Sequence, residues 1–256
     1  MRIAVAGATG RVGHHVANVF GERGHEVVPI SRSHGVDVIT GEGLHTALTG
    51  VQTIVDAATG PSPEKDAATA FFVTAADNLH RAGSQAGVGR MVVVSIIGLE
   101  HLGGGYNAAK LAHERAALAG PIPTRILRAA QFHEFVVQLM QWGRRGDAIS
   151  VPEMRTQLVA ARTVAEALVD LATGPDAEFA PERLVAPFAE IAGPREERLV
   201  EAARLLAARR GDPARIEESR NRDDPDAGPT ADGALLPGPH ATLAGPTFAQ
   251  WLDSLT

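Results

Sequence analysis

Residues 2–13 read RIAVAGATGRVG, and the fold of the chain turns on how that stretch is understood. Arg2 to Ala6 are brief and mostly apolar on consecutive positions, the pattern of a parallel strand buried on both faces. Gly7, Gly10 and Gly13 follow at once, three apart, and a helical pattern, GRVGHHVANVFGERG, opens among them. Glycine at these places permits a tight turn, a close approach of backbone N–H groups to a diphosphate, and close packing of helix on strand. The helix N-terminus adds a preference for negative charge. The spacing is GxxGxxG, a departure from the commoner GxGxxG, so its place between a first strand and a first helix carries the reading. The stretch therefore predicts a dinucleotide-binding turn built from Gly7, Thr9, Gly10, Arg11, Val12 and Gly13.

Outward from this point the same alternation continues. EVVPI (26–30), TIVDAA (53–58), RMVVVS (90–95) and TRILRA (124–129) are further short apolar runs, and helical spacing fills the segments between them. This order predicts an α/β, Rossmann-type doubly wound parallel sheet with right-handed crossovers, whose ligands lie at the carboxyl ends of the strands. Residues 1–130 form the expected dinucleotide-binding core. After Arg128 the rhythm changes, and 131–256 reads as a small, mainly helical substrate-side region. Helices are expected over 131–146, 162–174 and 194–211, and a late strand over 183–193 contributes to the sheet. The Pro-, Gly- and Asp-rich stretch 221–240 reads as a long surface loop. In a last helix, 246–255, Phe248, Trp251 and Leu252 share one face and dock on the body.

The second strand ends in VVPISRSH. An acid there would bond a ribose 2′-hydroxyl, whereas an Arg accommodates a 2′-phosphate. Ser31 and Arg32 follow the strand and no Asp or Glu does, so NADP, with NADPH preferred over NADH, is the expected cofactor. Asp37, in GVDVITG, reads either as an approach to the adenine or as a plain turn residue.

Composition narrows the classes of function. A chain of 256 residues, 45% hydrophobic, can bury a full core, and one main domain with a small appendage is expected. The absence of cysteine excludes disulfides and thiolate metal sites and suits a reducing compartment. The opening MRIAVAGATG lacks a basic segment followed by a long apolar run, and no stretch reaches the length of a membrane span, so a soluble, cytoplasmic protein is expected. A net charge of −6 without basic residues clustered beside aromatics gives no footprint for nucleic acid. The ten histidines are scattered and HExxH is absent, so no metal is expected. No GxSxG elbow marks a serine hydrolase, and no GK[ST] follows the glycine turn as a phosphate-binding loop would require.

Five motifs in order, GATGRVG, ISRS, DAATG, VVVSIIGLE and YNAAKLAHE, resemble the atypical and extended short-chain dehydrogenases/reductases, particularly their NmrA-like NAD(P)H-binding branch. The match covers about the first 130 residues, and ILRAAQFHEF, VAARTVAEALVDLATG and EIAGPREERLVEAARLL are similar to the substrate-side region of bacterial members. The resemblance implies that Ala57, Ala58 and Thr59 join the cofactor site. It also implies that Ser95, Tyr106 and Lys110 act together, Lys110 additionally meeting the nicotinamide ribose. Tyr106 is the only tyrosine of the chain and Lys110 one of two lysines, and a spacing of four puts them on one helix face. A nearby ammonium lowers the pKa of a phenol, so Tyr106 is expected to be tuned by Lys110. It would pass a proton to a carbonyl oxygen that Ser95 also bonds, as hydride arrives from nicotinamide. One departure is Phe72, which stands where many extended members have an Asn that supports the site through water.

The substrate pocket is expected from Phe132, His133, Phe135 and Trp142, an apolar and aromatic lining suited to a hydrophobic carbonyl or quinone, while helical spacing equally allows Phe132, Phe135 and Leu139 to be core. Glycines 103 to 105 are read as a mobile loop that closes over it. The expected function is NADPH-dependent reduction of a small hydrophobic carbonyl or quinone. Two alternatives stand beside it: a nonenzymatic NADP(H)-responsive regulator, and an isomerase or lyase of secondary metabolism. An exposed helix serves equally as dimer interface or solvated face, so the sequence sets no oligomeric state.

Overall fold

The computed structural model describes residues 1–180 and 184–255. In chain order, the elements of the first half are β1 (Arg2–Ala6), α1 (Gly13–Glu22), β2 (Glu26–Ile30), α2 (Leu44–Leu48), β3 (Thr53–Asp56), α3 (Lys65–Gln85), β4 (Arg90–Ile96), α4 (Gly105–Ala119) and β5 (Thr124–Ala129). They continue as α5 (His133–Gly143), β6 (Arg144–Arg145), β7 (Ala148–Pro152), β8 (Arg155–Thr156), α6 (Ala161–Thr173) and β9 (Ala189–Ala192). The remainder holds β10 (Glu197–Arg198), α7 (Leu199–Arg210), β11 (Arg215–Ser219), α8 (Ala227–Ala231), β12 (Thr242–Leu243) and α9 (Phe248–Asp253). Among the described residues no helix is long and apolar enough to cross a membrane.

The chain divides into two compact units, one of residues 1–95, 105–128 and 164–189, the other of 96–104, 129–163 and 190–256. One passage between them follows Arg128, and the units interleave rather than dividing the chain at 130. The chain returns to the first unit through most of α6, and it lends residues 96–104 to the second.

In the first unit the strands lie in the order β5-β4-β3-β1-β2. β1 runs parallel to both β2 and β3, and β3 parallel to β4, with Ile3 opposite Val27 and Thr53, and Ile54 opposite Met91. Chain order therefore reverses direction between β1 and β3, which is where ligands of open α/β sheets bind. The all-apolar runs are explained by their surroundings. Ile3, Ala4, Val5, Ile54 and Val55 are fully buried, as strands covered on both faces require. α3 and α4 pack on each other with small buried residues, Ala68 of one meeting Ala109 of the other. Small side chains there let the helices approach closely, and Phe72 is a fully buried ring at that seam with Phe71 and Tyr106 packed against it.

The second unit has its own core, in which Leu139 and Met140 of α5, Ile149 and Val151 of β7, Leu206 of α7 and Phe248 of α9 pack together. α9 docks through the expected face, Phe248 and Leu252 being buried, and starts on a capping box between Thr247 and Gln250. Three expectations change here. α5 ends at Gly143, and Gly146 at φ +61° turns the chain into a β6–β7 hairpin that helical spacing had concealed. The late strand is short, only β9, and Arg183 of the expected segment lies outside the described residues. The stretch 221–240 is not a free surface loop: it contains α8 and buries Asp226, Thr230 and Leu235. Asp226 Oδ1 accepts the N–H groups of Gly103 (2.8 Å) and Gly104 (2.9 Å), so this part of the glycine loop is pinned. A Cβ on Gly104 would also approach Pro225 Cγ to 2.9 Å, which gives that glycine a packing reason.

Candidate active site

The turn after β1 is built on close backbone approaches. Gly7 has φ +74°, a conformation that favours glycine, and its N–H donates to Ile30 O at 3.0 Å. A Cβ on Gly7 would come to 2.6 Å from Ala57 O and 2.7 Å from Ala58 Cα, so the ends of β1 and β3 can meet only over glycine. A Cβ on Gly13 would overlap Gly7 O, which presses the start of α1 onto the same turn. Val12 offers α1 no side-chain cap, and its first turn carries no acidic residue. The N–H groups of His14 and Val16 bond to Gly10 O (3.1 Å) and Val12 O (3.0 Å), and the positive end of the helix dipole favours an anion here. Thr9 and Arg11 are exposed beside them, while Val12 and Gly13 are buried. The residues present fit a dinucleotide diphosphate.

Ser31 is extended after β2, and its hydroxyl meets His34 Nδ1 at 2.7 Å and Ser33 Oγ at 2.9 Å. Arg32 is exposed at the start of a short 3-10 turn. Asp37 belongs to the local turn, its carboxylate accepting the Ile39 N–H at 2.7 Å. The segment behind it is held by Asn78 of α3, whose amide donates to Val38 O and Ile39 O, both at 2.8 Å.

Tyr106 and Lys110 leave α4 on one face, as expected, but their heads point to different partners. The Tyr106 hydroxyl meets Thr59 Oγ1 at 3.0 Å, which brings the phenol to the carboxyl end of β3 beside the glycine turn. Burial pushes the phenol above its usual pKa, against the smaller opposing effects of the Thr59 hydrogen bond and the Arg11 charge. The expected tuning by Lys110 is therefore not found: desolvation dominates, and the ammonium is engaged elsewhere. Lys110 Nζ donates to Val94 O at 2.9 Å and to His113 Nδ1 at 2.8 Å. It also lies 4.6 Å from the centre of the Phe72 ring, a cation–π contact in a desolvated setting.

Beneath the lysine the polar chain continues inward. His113 Nε2 meets Asp56 Oδ2 at 3.0 Å, and Asp56 Oδ1 accepts the Ala58 N–H at 3.0 Å. All three side chains are buried, Lys110 at 5% exposure and His113 and Asp56 at 1%. Burial lowers the Lys110 pKa to about 8 against the pull of Asp56 and Glu114. Burial and the Lys110 charge also lower that of His113, so the imidazole is neutral and donates Nε2–H to the carboxylate. Burial pushes Asp56 upward, but the His113 hydrogen bond and charge, the Ala58 N–H and Lys110 together leave it below its ordinary value. Phe72 stacks on His113 with ring centres 4.7 Å apart and meets Tyr106 edge-on at 5.6 Å. The ring thus gives apolar support to Lys110, His113 and Tyr106 together. One residue beyond His113, Glu114 receives both arms of Arg128, each at 2.9 Å, a buried bidentate pair tying α4 to β5.

Ser95, at the carboxyl end of β4, is buried at 2% exposure, and its hydroxyl has no hydrogen-bond partner. An orphaned polar group of that kind costs about 1–3 kcal/mol unless a ligand satisfies it. The first unit accordingly gathers the glycine turn, Thr59 and Tyr106, with Lys110 on the Phe72 ring that also meets the phenol. The expected substrate residues belong to the second unit, and they do not form one lining. His133 is fully buried, bonded through Nε2 to Pro246 O at 3.1 Å and packed against Phe248 and Trp251. It is a core histidine, with burial lowering its pKa to about 4. Phe135 is half-buried against Trp142, ring centres 6.0 Å apart, and Trp142 is 55% exposed. Phe132, half-buried, precedes α5 and pairs its backbone with Val159.

Sequence reasoning missed Asp56 and His113. Signals for both existed: His113 lies three residues after Lys110 on the same helix face, and Asp56 is a charge that follows the apolar pair Ile54 and Val55 at the end of a strand.

No protein-family profile and no curated protein matches this chain. Solved structures do. The structure titled "MoeE5 in complex with UDP-glucose and NAD" is 20% identical over all of both chains, with a TM-score of 0.68. A UDP-N-acetylglucosamine 4-epimerase from Bacillus cereus is 18% identical over all of this chain and 95% of its own, again with a TM-score of 0.68. A short-chain dehydrogenase/reductase superfamily protein from Agrobacterium tumefaciens, with bound NAD, is 17% identical over 99% and 95% of the two chains, with a TM-score of 0.66. The likeness is one of fold, the α/β Rossmann-type architecture.

Proposed function

We propose that the chain is a cytoplasmic, NADP-dependent oxidoreductase of the short-chain dehydrogenase/reductase type, of the NmrA-like branch, which reduces a small hydrophobic carbonyl or quinone. The observation that carries the reading is the Tyr106 hydroxyl on Thr59, at the carboxyl end of β3 and next to the Gly7 turn. It puts the chain's single phenol beside a turn that fits a diphosphate. The dinucleotide, when bound, supplies hydride. N–H groups at the start of α1 bind its diphosphate, and the Arg32 guanidinium, with Ser31, binds a 2′-phosphate. The Tyr106 hydroxyl donates its proton to the substrate oxygen, and the Ser95 hydroxyl hydrogen-bonds the same oxygen. Lys110, buried against the Phe72 ring one turn beyond Tyr106 on α4, supplies positive charge to the site as proton transfer leaves charge on the phenol.

A second reading, an isomerase or lyase that uses the nucleotide transiently, is favoured by the 4-epimerase among the structures of like fold. One titration of the purified protein with NADPH and NADH, followed by quinones, aldehydes and UDP-sugars, separates the readings. Tighter binding of NADPH, weakened about tenfold or more by Arg32→Glu, and oxidation on adding a carbonyl support the reductase. Conversion of a UDP-sugar without net oxidation selects the second reading, and binding of neither nucleotide defeats both.

A further inference from the structure

We propose that His113, anchored by Asp56, is the positioning residue of Lys110: its neutral imidazole accepts the lysine ammonium at Nδ1 and passes the compensating charge of Asp56 to it through Nε2–H. The geometry is continuous, from Lys110 Nζ to His113 Nδ1 (2.8 Å) and from His113 Nε2 to Asp56 Oδ2 (3.0 Å). Its orientation is fixed from outside the chain of bonds. Phe72 stacks on the imidazole, the Ala58 N–H holds the other oxygen of Asp56, and Val94 O takes a second proton of the ammonium. With Nε2–H committed to a carboxylate, only Nδ1 remains to accept, so the tautomer and the direction of each hydrogen bond follow.

The groups facing this cluster are few. α4 contributes Tyr106, His113 and Glu114, of which Glu114 is neutralised by Arg128 of β5. β3 contributes Asp56, and α3 contributes Phe72 and His80, the latter bonded to Ala117 O at 2.8 Å and itself reached by the Asp56 charge. A buried ammonium without a carboxylate would shed its proton at neutral pH. Asp56 acting through His113 keeps it charged, and this is the state the proposed reaction uses. That last consequence rests on the oxidoreductase reading; the arrangement itself does not.

The chain's two lysines make the test direct. Full-length protein labelled at lysine 13Cε and 15Nζ gives one resonance each for Lys65 and Lys110, assigned with Lys65→Arg. Without any substrate, Lys110 is expected to titrate near 8. His113, read by its ring 15N shifts, is expected as the Nε2–H tautomer, with Nδ1 moving at the Lys110 midpoint. Asp56→Asn and His113→Phe are each expected to lower the Lys110 midpoint by about one pH unit or more, and His113→Gln, which can both accept and donate, to restore it. The tautomer needs no variant, so a variant that fails to fold leaves the test intact. An Nδ1–H tautomer, or a Lys110 midpoint unmoved in both Asp56→Asn and His113→Phe, overturns the proposal. Failure of turnover with intact lysine titration would instead count against the oxidoreductase reading alone.

Discussion

The glycine turn and the aromatic set of α5 were both read from the sequence, yet the first is fixed by its own backbone and the second is divided between core and surface. At the turn the constraint lies in the backbone. Gly7 and Gly13 are close in sequence, and each must lack a Cβ because another backbone occupies that space. In α5 the constraint lies in packing between segments distant in sequence. His133 faces inward because α9, more than a hundred residues later, brings Phe248 and Trp251 against it. Trp142, one helical face away, meets mainly solvent. A motif that fixes local backbone is legible in one sequence, whereas a lining assigned by helical spacing alone is indistinguishable from core.

Substitutions can break this contrast. Gly13→Ala forces a Cβ onto Gly7 O, and it is expected to lower stability by about 3 kcal/mol or more and to abolish dinucleotide binding. Denaturant unfolding and a fluorescence titration check the two effects. His133→Ala removes a buried ring from the core of the second unit and is expected to cost about 2–4 kcal/mol in the same unfolding assay. Trp142→Ala, on the exposed side, should stay within about 0.5 kcal/mol. Equal costs at the two positions would contradict the distinction between core and surface.

The buried cluster makes a prediction of comparable size in pH. Lys110 has a folded-state value of about 8, below that of an unfolded lysine. The folded protein therefore binds fewer protons between pH 8 and about 10.5, and stability contributed by this group rises with pH across that window. Below pH 8 the cost of the buried ammonium is constant. Relative to Lys110→Met, the protein is expected to gain about 3 kcal/mol between pH 7 and 10.5, measured as the difference of two denaturant midpoints. A parallel pH response in both proteins would place the lysine in ordinary solvent.

How much of this was legible follows from which forces place each residue. The order of short apolar strands gave the sheet, because full burial on both faces leaves a direct trace in composition. Ser95, Tyr106 and Lys110 were singled out through spacing and resemblance, but the direction in which Lys110 points was not, since that depends on Asp56, fifty-four residues earlier. The β6–β7 hairpin was hidden because Arg144 and Arg145 continue the helical pattern until Gly146 turns the chain. Residues 221–240 read as a loop from their Pro, Gly and Asp, and turn composition carried no sign that the Asp226 side chain would be buried on two glycine amides.

The measurement that tests the central claim most directly compares the protein with Tyr106→Phe, following NADPH binding and carbonyl-dependent NADPH oxidation in one cuvette. Removing only the hydroxyl that meets Thr59 is expected to leave NADPH affinity within about twofold and to lower turnover by about 100-fold or more. Undiminished turnover in Tyr106→Phe would contradict the account, because the proton would then come from a group other than the chain's single phenol.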